Sequence, residues 1–206
     1  MPTKYARYGK RPLDVVLSSL GLLLFSPLFV IVSLCIKLDS AGPVYFRQQR
    51  IGRNGELFVL FKFRSMKVVD SLAECRFHPG DESRTTRIGK ILRKSKIDEL
   101  PQLYNVLRGE MSFVGPRPEV PQYRSLYVGN FANVLSLKPG ITDLASIKYR
   151  NEEELLRRSP DPEKMYREVI LPDKLKLGLK YKEMINIKTD LNIIIATVGK
   201  ILKISF

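Results

Sequence analysis

Asp98 and Glu99 stand side by side at the end of a basic run, Arg93-Lys94-Ser95-Lys96-Ile97-Asp98-Glu99, and the loop Gly115-Pro116-Arg117-Pro118 follows. Two carboxylates among cations have a chemical use. The cations bind an anionic, phosphorylated substrate; one carboxylate can attack phosphorus while the other holds a divalent cation. Neighbours on a helix point about 100° apart, so the pair is poorly placed to share one proton and better suited to separate jobs. Spacing alone leaves helix capping as the simpler explanation for an Asp-Glu pair.

The elements around the pair follow from local pattern. Residues 84–96 carry Arg84, Arg87, Lys90, Arg93, Lys94 and Lys96 with no acid, and Ile88, Ile91, Leu92 and Ser95 fall at helical spacing. That predicts an amphipathic helix with a cationic face, most of it meeting solvent or lipid headgroups. A second helix is expected to start at Asp98 as N-cap, with Pro101 in its first turn and Gly109 as its stop. Its N-terminus would favour an ionised Asp98 and a nearby phosphate. Upstream, 44–46 and 57–61 flank Arg53-Asn54-Gly55, a strong hairpin signal, with 62–66 closing the second strand. Residues 69–83 read as a polar loop. Polar helices are expected over 152–156, 163–170 and 174–184, punctuated by Pro160, Pro162 and Pro172. A last helix, capped by Asp190, would carry Leu191, Ile194, Ile195, Val198, Ile201 and Leu202 on one face, with Lys200 and Lys203 beyond. It suits a membrane interface or the domain core about equally.

Composition narrows the partner. The 206 residues hold 35 Lys+Arg against 21 Asp+Glu, a formal net charge of +14, which points to a polyanion: nucleic acid, anionic lipid or a phosphorylated small molecule. Cys35, Cys75 and the lone His78 give neither a disulfide framework nor a zinc site. From 15 to 36 there is no charged residue, 22 positions in all. As a helix they would extend about 33 Å, roughly a bilayer's hydrocarbon thickness. Lys4, Arg7, Lys10 and Arg11 precede the run, and Lys37, Arg47, Arg50 and Arg53 follow it. Both flanks therefore favour the cytoplasm, and Ser26-Pro27 marks a break in the middle. A kinked, re-entrant membrane helix satisfies both observations better than a spanning one.

The motifs converge on a resemblance. Residues 62–66, Arg93 to Asp98-Glu99, 103–107, 109–118 and 138–142 resemble the bacterial sugar transferases of the monotopic phosphoglycosyl transferase superfamily. The start Lys10-Arg11-Pro12-Leu13-Asp14 and the Ser26-Pro27 break are similar too. The resemblance covers most of the chain to about Arg150. It implies an α+β, mainly helical protein, with a re-entrant membrane helix in a basic N-terminal part (1–38) and a cytoplasmic catalytic domain (39–206) bearing a small β-hairpin and interfacial amphipathic helices. It implies transfer of a phosphosugar from a UDP-sugar to undecaprenyl phosphate, with release of UMP, at the cytoplasmic face of the bacterial inner membrane. Asp98 would be the nucleophile and Glu99 the Mg²⁺ ligand. Arg93, Arg117 and Arg150 would bind phosphates and nucleotide, with Arg64 a further candidate. The chain departs from the family's usual pattern at Asp143, where glycine is common, at Leu144, and at Lys148-Tyr149-Arg150.

Two other readings share some of these features. A non-catalytic, membrane-anchored protein binding anionic lipid or nucleic acid accounts for the charge and the apolar run, but leaves Asp98-Glu99 and the Gly-Pro-Arg-Pro loop unexplained. No nucleic-acid motif is visible, so nucleic acid is not expected as a partner, whereas anionic membrane lipids are. A membrane phosphatase-like hydrolase would use the same carboxylates with water as acceptor. Which sugar is used, and whether the chain forms a homo-oligomer, stay open.

Overall fold

The computed structural model describes residues 3–68 and 83–202. The loop expected over 69–83, with Cys75 and His78, lies outside them apart from Ser83, as do the side chains of Ile201, Leu202 and Lys203. After a π-helical turn at Tyr5–Gly9, the apolar segment forms two helices, α1 (Lys10–Leu24) and α2 (Ser26–Asp39), bent by 59° at Phe25. Pro27 sits in the first turn of α2, where no intrahelical donor is lost, and Ser26 Oγ donates to the Leu23 carbonyl at 2.7 Å. Neither helix alone is long and apolar enough to cross a membrane, whereas the bent pair together has the length and composition. Leu23, Leu24, Val30, Ile31, Leu34 and Leu38 stay exposed, while Asp14 and Ser18 are buried.

The hairpin forms as its turn residues dictate. Antiparallel β1 (Tyr45–Ile51) and β2 (Leu57–Phe63) set Ile51 opposite Leu57 and Tyr45 opposite Phe63. Asn54 and Gly55 take φ of 56° and 78° in the connecting turn. The second strand ends earlier than expected, at Phe63. Arg64 follows with its guanidinium donating to the Ser40 and Ala41 carbonyls after α2, and Met66 makes an isolated bridge to Thr85.

α3 (Arg87–Ser95) begins after Thr86, whose Oγ1 accepts from Gly89 N at 2.9 Å. Lys96 then turns left-handed, with φ 58°. Here the structure corrects the sequence reading: Asp98 caps no helix. Ile97–Glu99 form a 3₁₀ turn, and α4 (Gln102–Arg108) starts only after Pro101. The left-handed Lys96 reverses the chain two residues before Asp98, and both carboxylates are buried without a cap bond. The helix-dipole argument for Asp98 falls with the cap. α4 ends at Gly109 (φ 87°) as expected.

A second sheet had no sequence signature. β3 (Ser112–Val114) and β4 (Gly140–Thr142) pair in parallel, Ser112 opposite Gly140, and three-residue strands leave no alternation to read. Gly140 is required there because a Cβ would lie 2.1 Å from Gly115 N. Asp14 Oδ1 accepts from Ser112 Oγ and Phe113 N at 3.1 and 3.0 Å, fixing α1 to β3.

α5 (Leu144–Lys148), α6 (Glu152–Arg157), α7 (Pro162–Met165), a π-helical turn at Tyr166–Ile170 and α8 (Leu171–Glu183) complete the domain with α9 (Ile187–Leu202). Pro172 does not separate helices, because it occupies the first turn of α8. Asp190 is inside α9 rather than its cap, a role filled by Asn186 Oδ1, which accepts from Thr189 N. The buried Asp190 carboxylate instead accepts from Lys10 Nζ at 2.5 Å, Tyr5 OH at 2.8 Å and Tyr181 OH at 2.6 Å, joining the N-terminal segment, α8 and α9. Ile193 and Ile194 pack with Val114 and Tyr181, and Leu191, Ile195 and Val198 remain exposed on the other face.

Candidate active site

Two elements converge on the acidic turn. Lys62 reaches it from β2 and Arg117 from the loop after β3, and both donate to Glu99 Oε1, at 3.0 and 2.7 Å. Burial alone would raise the Glu99 carboxyl, but Arg117, Lys62 and Lys96 outweigh it and hold that group well below the usual carboxylate range. Asp98 has the opposite balance. Burial pushes its carboxyl up, Lys62 only partly offsets this, and the charge of Glu99 adds to it. Its Oδ1 is buried without a hydrogen-bond partner among the described residues. Lys62 is lowered by its own burial, with Glu99 opposing. Arg117 is raised above its ordinary value by Glu99.

Arg117 is placed by Asp143. The Asp143 side chain caps α5, its Oδ1 accepting from Ser146 N and Ser146 Oγ at 2.6 Å each, while Oδ2 accepts from Arg117 N at 3.1 Å. A carboxylate here fixes the loop that presents the guanidinium.

The turn borders a cavity of about 1060 Å³. Eight cations line it, Lys90, Arg93, Lys94, Lys96, Arg117, Arg150, Lys174 and Lys200, against the carboxylates Glu99, Glu152 and Glu153; that excess selects an anionic ligand. Its other wall is apolar and begins at the elbow of the bent α1–α2 pair, with Leu17, Gly21 and Phe25 on it together with Leu100, Leu103 and Val198. A ligand with a phosphate head and a hydrocarbon tail matches both walls.

The candidate residues distribute unevenly. Glu99, Arg93, Arg117 and Arg150 line the one cavity. Asp98 is next to Glu99 but is buried and is not in the lining wall. Ser26 and Pro27 form the elbow beside Phe25. Arg64 is absent from the wall, being engaged with the Ser40 and Ala41 carbonyls. Lys62 and Lys174 had no place in the sequence reading of the site. A lone lysine between Phe61 and Phe63 was the available signal for Lys62, since a cation facing a core needs a buried partner. Lys174 lay in an unremarkable polar helix and carried no such signal.

No group of three or more His, Cys, Asp or Glu side chains able to hold a metal ion occurs among the described residues. Among the described residues the site therefore offers no all-protein cage. Two adjacent carboxylates, one with a buried oxygen lacking a partner, fit a hard cation whose shell is completed by substrate oxygens, the usual habit of Mg²⁺.

Comparison with known proteins adds a second line. The model of the family described as bacterial sugar transferase matches residues 5–204. A UDP-glucose:undecaprenyl-phosphate glucose-1-phosphate transferase of Klebsiella pneumoniae is 40% identical over 196 residues, covering 93% of this chain and 39% of its own length. The protein of the same name in Caulobacter vibrioides is 38% identical over 196 residues, 94% of this chain and 69% of its own. A UDP-N-acetylgalactosamine-undecaprenyl-phosphate N-acetylgalactosaminephosphotransferase of Aeromonas hydrophila is 43% identical over 119 residues, 58% of this chain and 28% of its own. The chain thus spans about two fifths of the Klebsiella relative's length.

Proposed function

The chain belongs to the bacterial sugar transferase family, and we propose that it transfers a phosphosugar from a UDP-sugar to a polyprenyl phosphate such as undecaprenyl phosphate, releasing UMP. The relatives' names support this donor and acceptor, and the two-sided cavity suits an amphiphilic phosphate. One observation carries the reading furthest: adjacent buried carboxylates in opposite electrostatic surroundings, beside a cation-lined cavity. Environments that split a pair in this way assign separate roles to its members.

Asp98 attacks the phosphorus bearing the sugar. The bond from that phosphorus to the UMP oxygen breaks, and UMP leaves with the electron pair. A phosphate oxygen of the polyprenyl phosphate then attacks the same phosphorus, the bond to Asp98 breaks, and the carboxylate is restored. Arg117, Arg93 and Arg150 neutralise phosphate oxygens, Arg117 through a guanidinium held by Glu99 on a backbone anchored by Asp143. When bound, Mg²⁺ supplies further charge neutralisation at the diphosphate, with Glu99 as its protein ligand.

The bent α1–α2 pair is read as a re-entrant insertion into the bacterial cell membrane, which leaves the basic flanks and the catalytic domain on the cytoplasmic face. Cysteines introduced at the two flanks should then be labelled from the same side. Catalysis is tested with the full chain, Mg²⁺ and a panel of UDP-sugars, UDP-glucose first. A covalent intermediate requires exchange of labelled UMP into UDP-sugar without any polyprenyl phosphate; absence of that exchange in an active preparation would end the two-step mechanism.

A further inference from the structure

Two consecutive carboxylates at the start of α6 tie it to two different elements, and all four partners line the cavity. Glu152 accepts from Lys174 Nζ on α8 at 2.7 and 2.9 Å through its two oxygens. Glu153 accepts from Arg93 on α3. The surroundings of the pairs differ. The Lys174 side chain is 8% exposed, and its ammonium also lies 3.3 Å from the Tyr166 hydroxyl and 4.0 Å from Glu119. The Glu153 side chain is 51% exposed. Breaking the first pair would strand a buried charge. The second is solvent-screened and exchangeable.

We propose that Glu153 is a built-in stand-in for substrate phosphate. It occupies the Arg93 guanidinium while the donor site is empty, and the UDP-sugar diphosphate displaces it. The Glu152–Lys174 pair holds α6 in place throughout, so Glu153 returns to Arg93 as UMP leaves. The inference rests on the reading of the cavity as a UDP-sugar site. A guanidinium offers carboxylate and phosphate oxygens the same forked donors, so the two compete for one position. Glu153 thereby weakens donor and UMP binding and hastens product release. It is a positioning residue and takes no part in bond making.

The experiment is calorimetric titration of UMP into the full chain in nanodiscs, comparing wild type, Glu153→Gln, Arg93→Gln and the double variant. Glu153→Gln should bind UMP about two- to fivefold more tightly, the range expected on removing an exposed ion-pair competitor. Glu153→Ala should give the same gain, and the KM for UDP-sugar should fall with no rise in kcat. In the Arg93→Gln background the gain should vanish, because the competition is for Arg93. Unchanged or weaker UMP binding in both Glu153 variants, with the melting temperature preserved, overturns the proposal. A gain that persists without Arg93 also overturns it, by assigning the effect to general charge. Failure of the wild type itself to bind UMP would instead overturn the donor-site reading, and this inference with it.

Discussion

Asp143→Ala tests how the site holds Arg117. Asp143 is 5% exposed, and its backbone is extended, at φ −159°, so alanine fits without strain. Two functions disappear together. Loss of an aspartate N-cap costs about 1 kcal/mol. The Arg117 N–H, bonded at 3.1 Å to Asp143 Oδ2, is left without an acceptor, at about 1–3 kcal/mol. The sum is about 2–4 kcal/mol, which for a domain of this size lowers the melting temperature by about 5–15 °C. The chain has no tryptophan, so circular dichroism is the natural readout. Because the Arg117 backbone is released, the KM for UDP-sugar should also rise, by about tenfold for each 1.4 kcal/mol by which phosphate binding weakens. Asp143→Asn separates the two effects. Asparagine caps as well as aspartate, but its amide turns a donor toward the Arg117 N–H. It should therefore lose less stability than alanine while keeping most of the KM defect. A wild-type KM in Asp143→Asn, or a melting temperature within about 1 °C of wild type in Asp143→Ala, would refute the argument that this carboxylate positions Arg117.

Three other outcomes are expected. Asp98→Asn should reduce UMP release and UMP exchange to background, yet melt no lower than wild type, because the amide replaces a buried charge whose Oδ1 has no partner among the described residues; a drop of several degrees would mean that the carboxylate supports the fold. Gly140→Ala should fail to accumulate as folded protein or lose about 3 kcal/mol or more, since its Cβ would lie 2.1 Å from Gly115 N and 2.4 Å from Gly115 O. Normal melting of that variant would exclude the close β3–β4 pairing. Tyr181→Phe removes a 2.6 Å hydrogen bond to the buried Asp190 carboxylate, worth about 1.5–3 kcal/mol. Burial, then Asp190, raises the Tyr181 hydroxyl above the unfolded value of about 10, so its contribution is complete below that pH and is lost as pH climbs toward the folded value. The stability gap between wild type and Tyr181→Phe should stay level from neutral pH to about 10 and narrow beyond it; a widening gap would contradict the sign.

What the sequence revealed was what local chemistry determines. Asn54-Gly55 specified a hairpin because few residues accept their φ values; Ser26-Pro27 specified a bend because proline cannot continue the ladder; Gly109 specified a stop. Each of these operates within a few residues. The misreadings at Asp190, Lys62 and the second sheet involve distant partners. Asp190 looks like a helix cap until Lys10 and Tyr5 arrive from the N-terminal segment and Tyr181 from α8. Lys62 looks like the end of a strand until Glu99 folds beneath it. β3 and β4 are strands only by virtue of each other, with Gly115 and Gly140 permitting an approach that no three-residue pattern announces. The basic run was legible as a source of cations, yet nothing in it indicated that Arg93 would face Glu153 or that Arg64 would turn to the end of α2.

The acidic pair shows why this distinction matters for chemistry. Had Asp98 capped a helix, as its spacing allowed, backbone donors and the helix dipole would have stabilised its charge, leaving two similarly ionised neighbours. The left-handed Lys96 prevents that arrangement. It folds both carboxylates inward as a 3₁₀ turn, where the strong counter-charges Lys62 and Arg117 converge on a single oxygen of Glu99. Glu99 is consequently held as an anion with its geometry fixed. Asp98 is desolvated, and its Oδ1 is unpartnered among the described residues. Desolvation without a fixed partner suits a nucleophile, because no strong bond must break before it attacks; a rigid, permanently charged carboxylate suits cation and arginine alignment. One backbone reversal thus gives two adjacent acids of similar intrinsic strength opposite electrostatic surroundings.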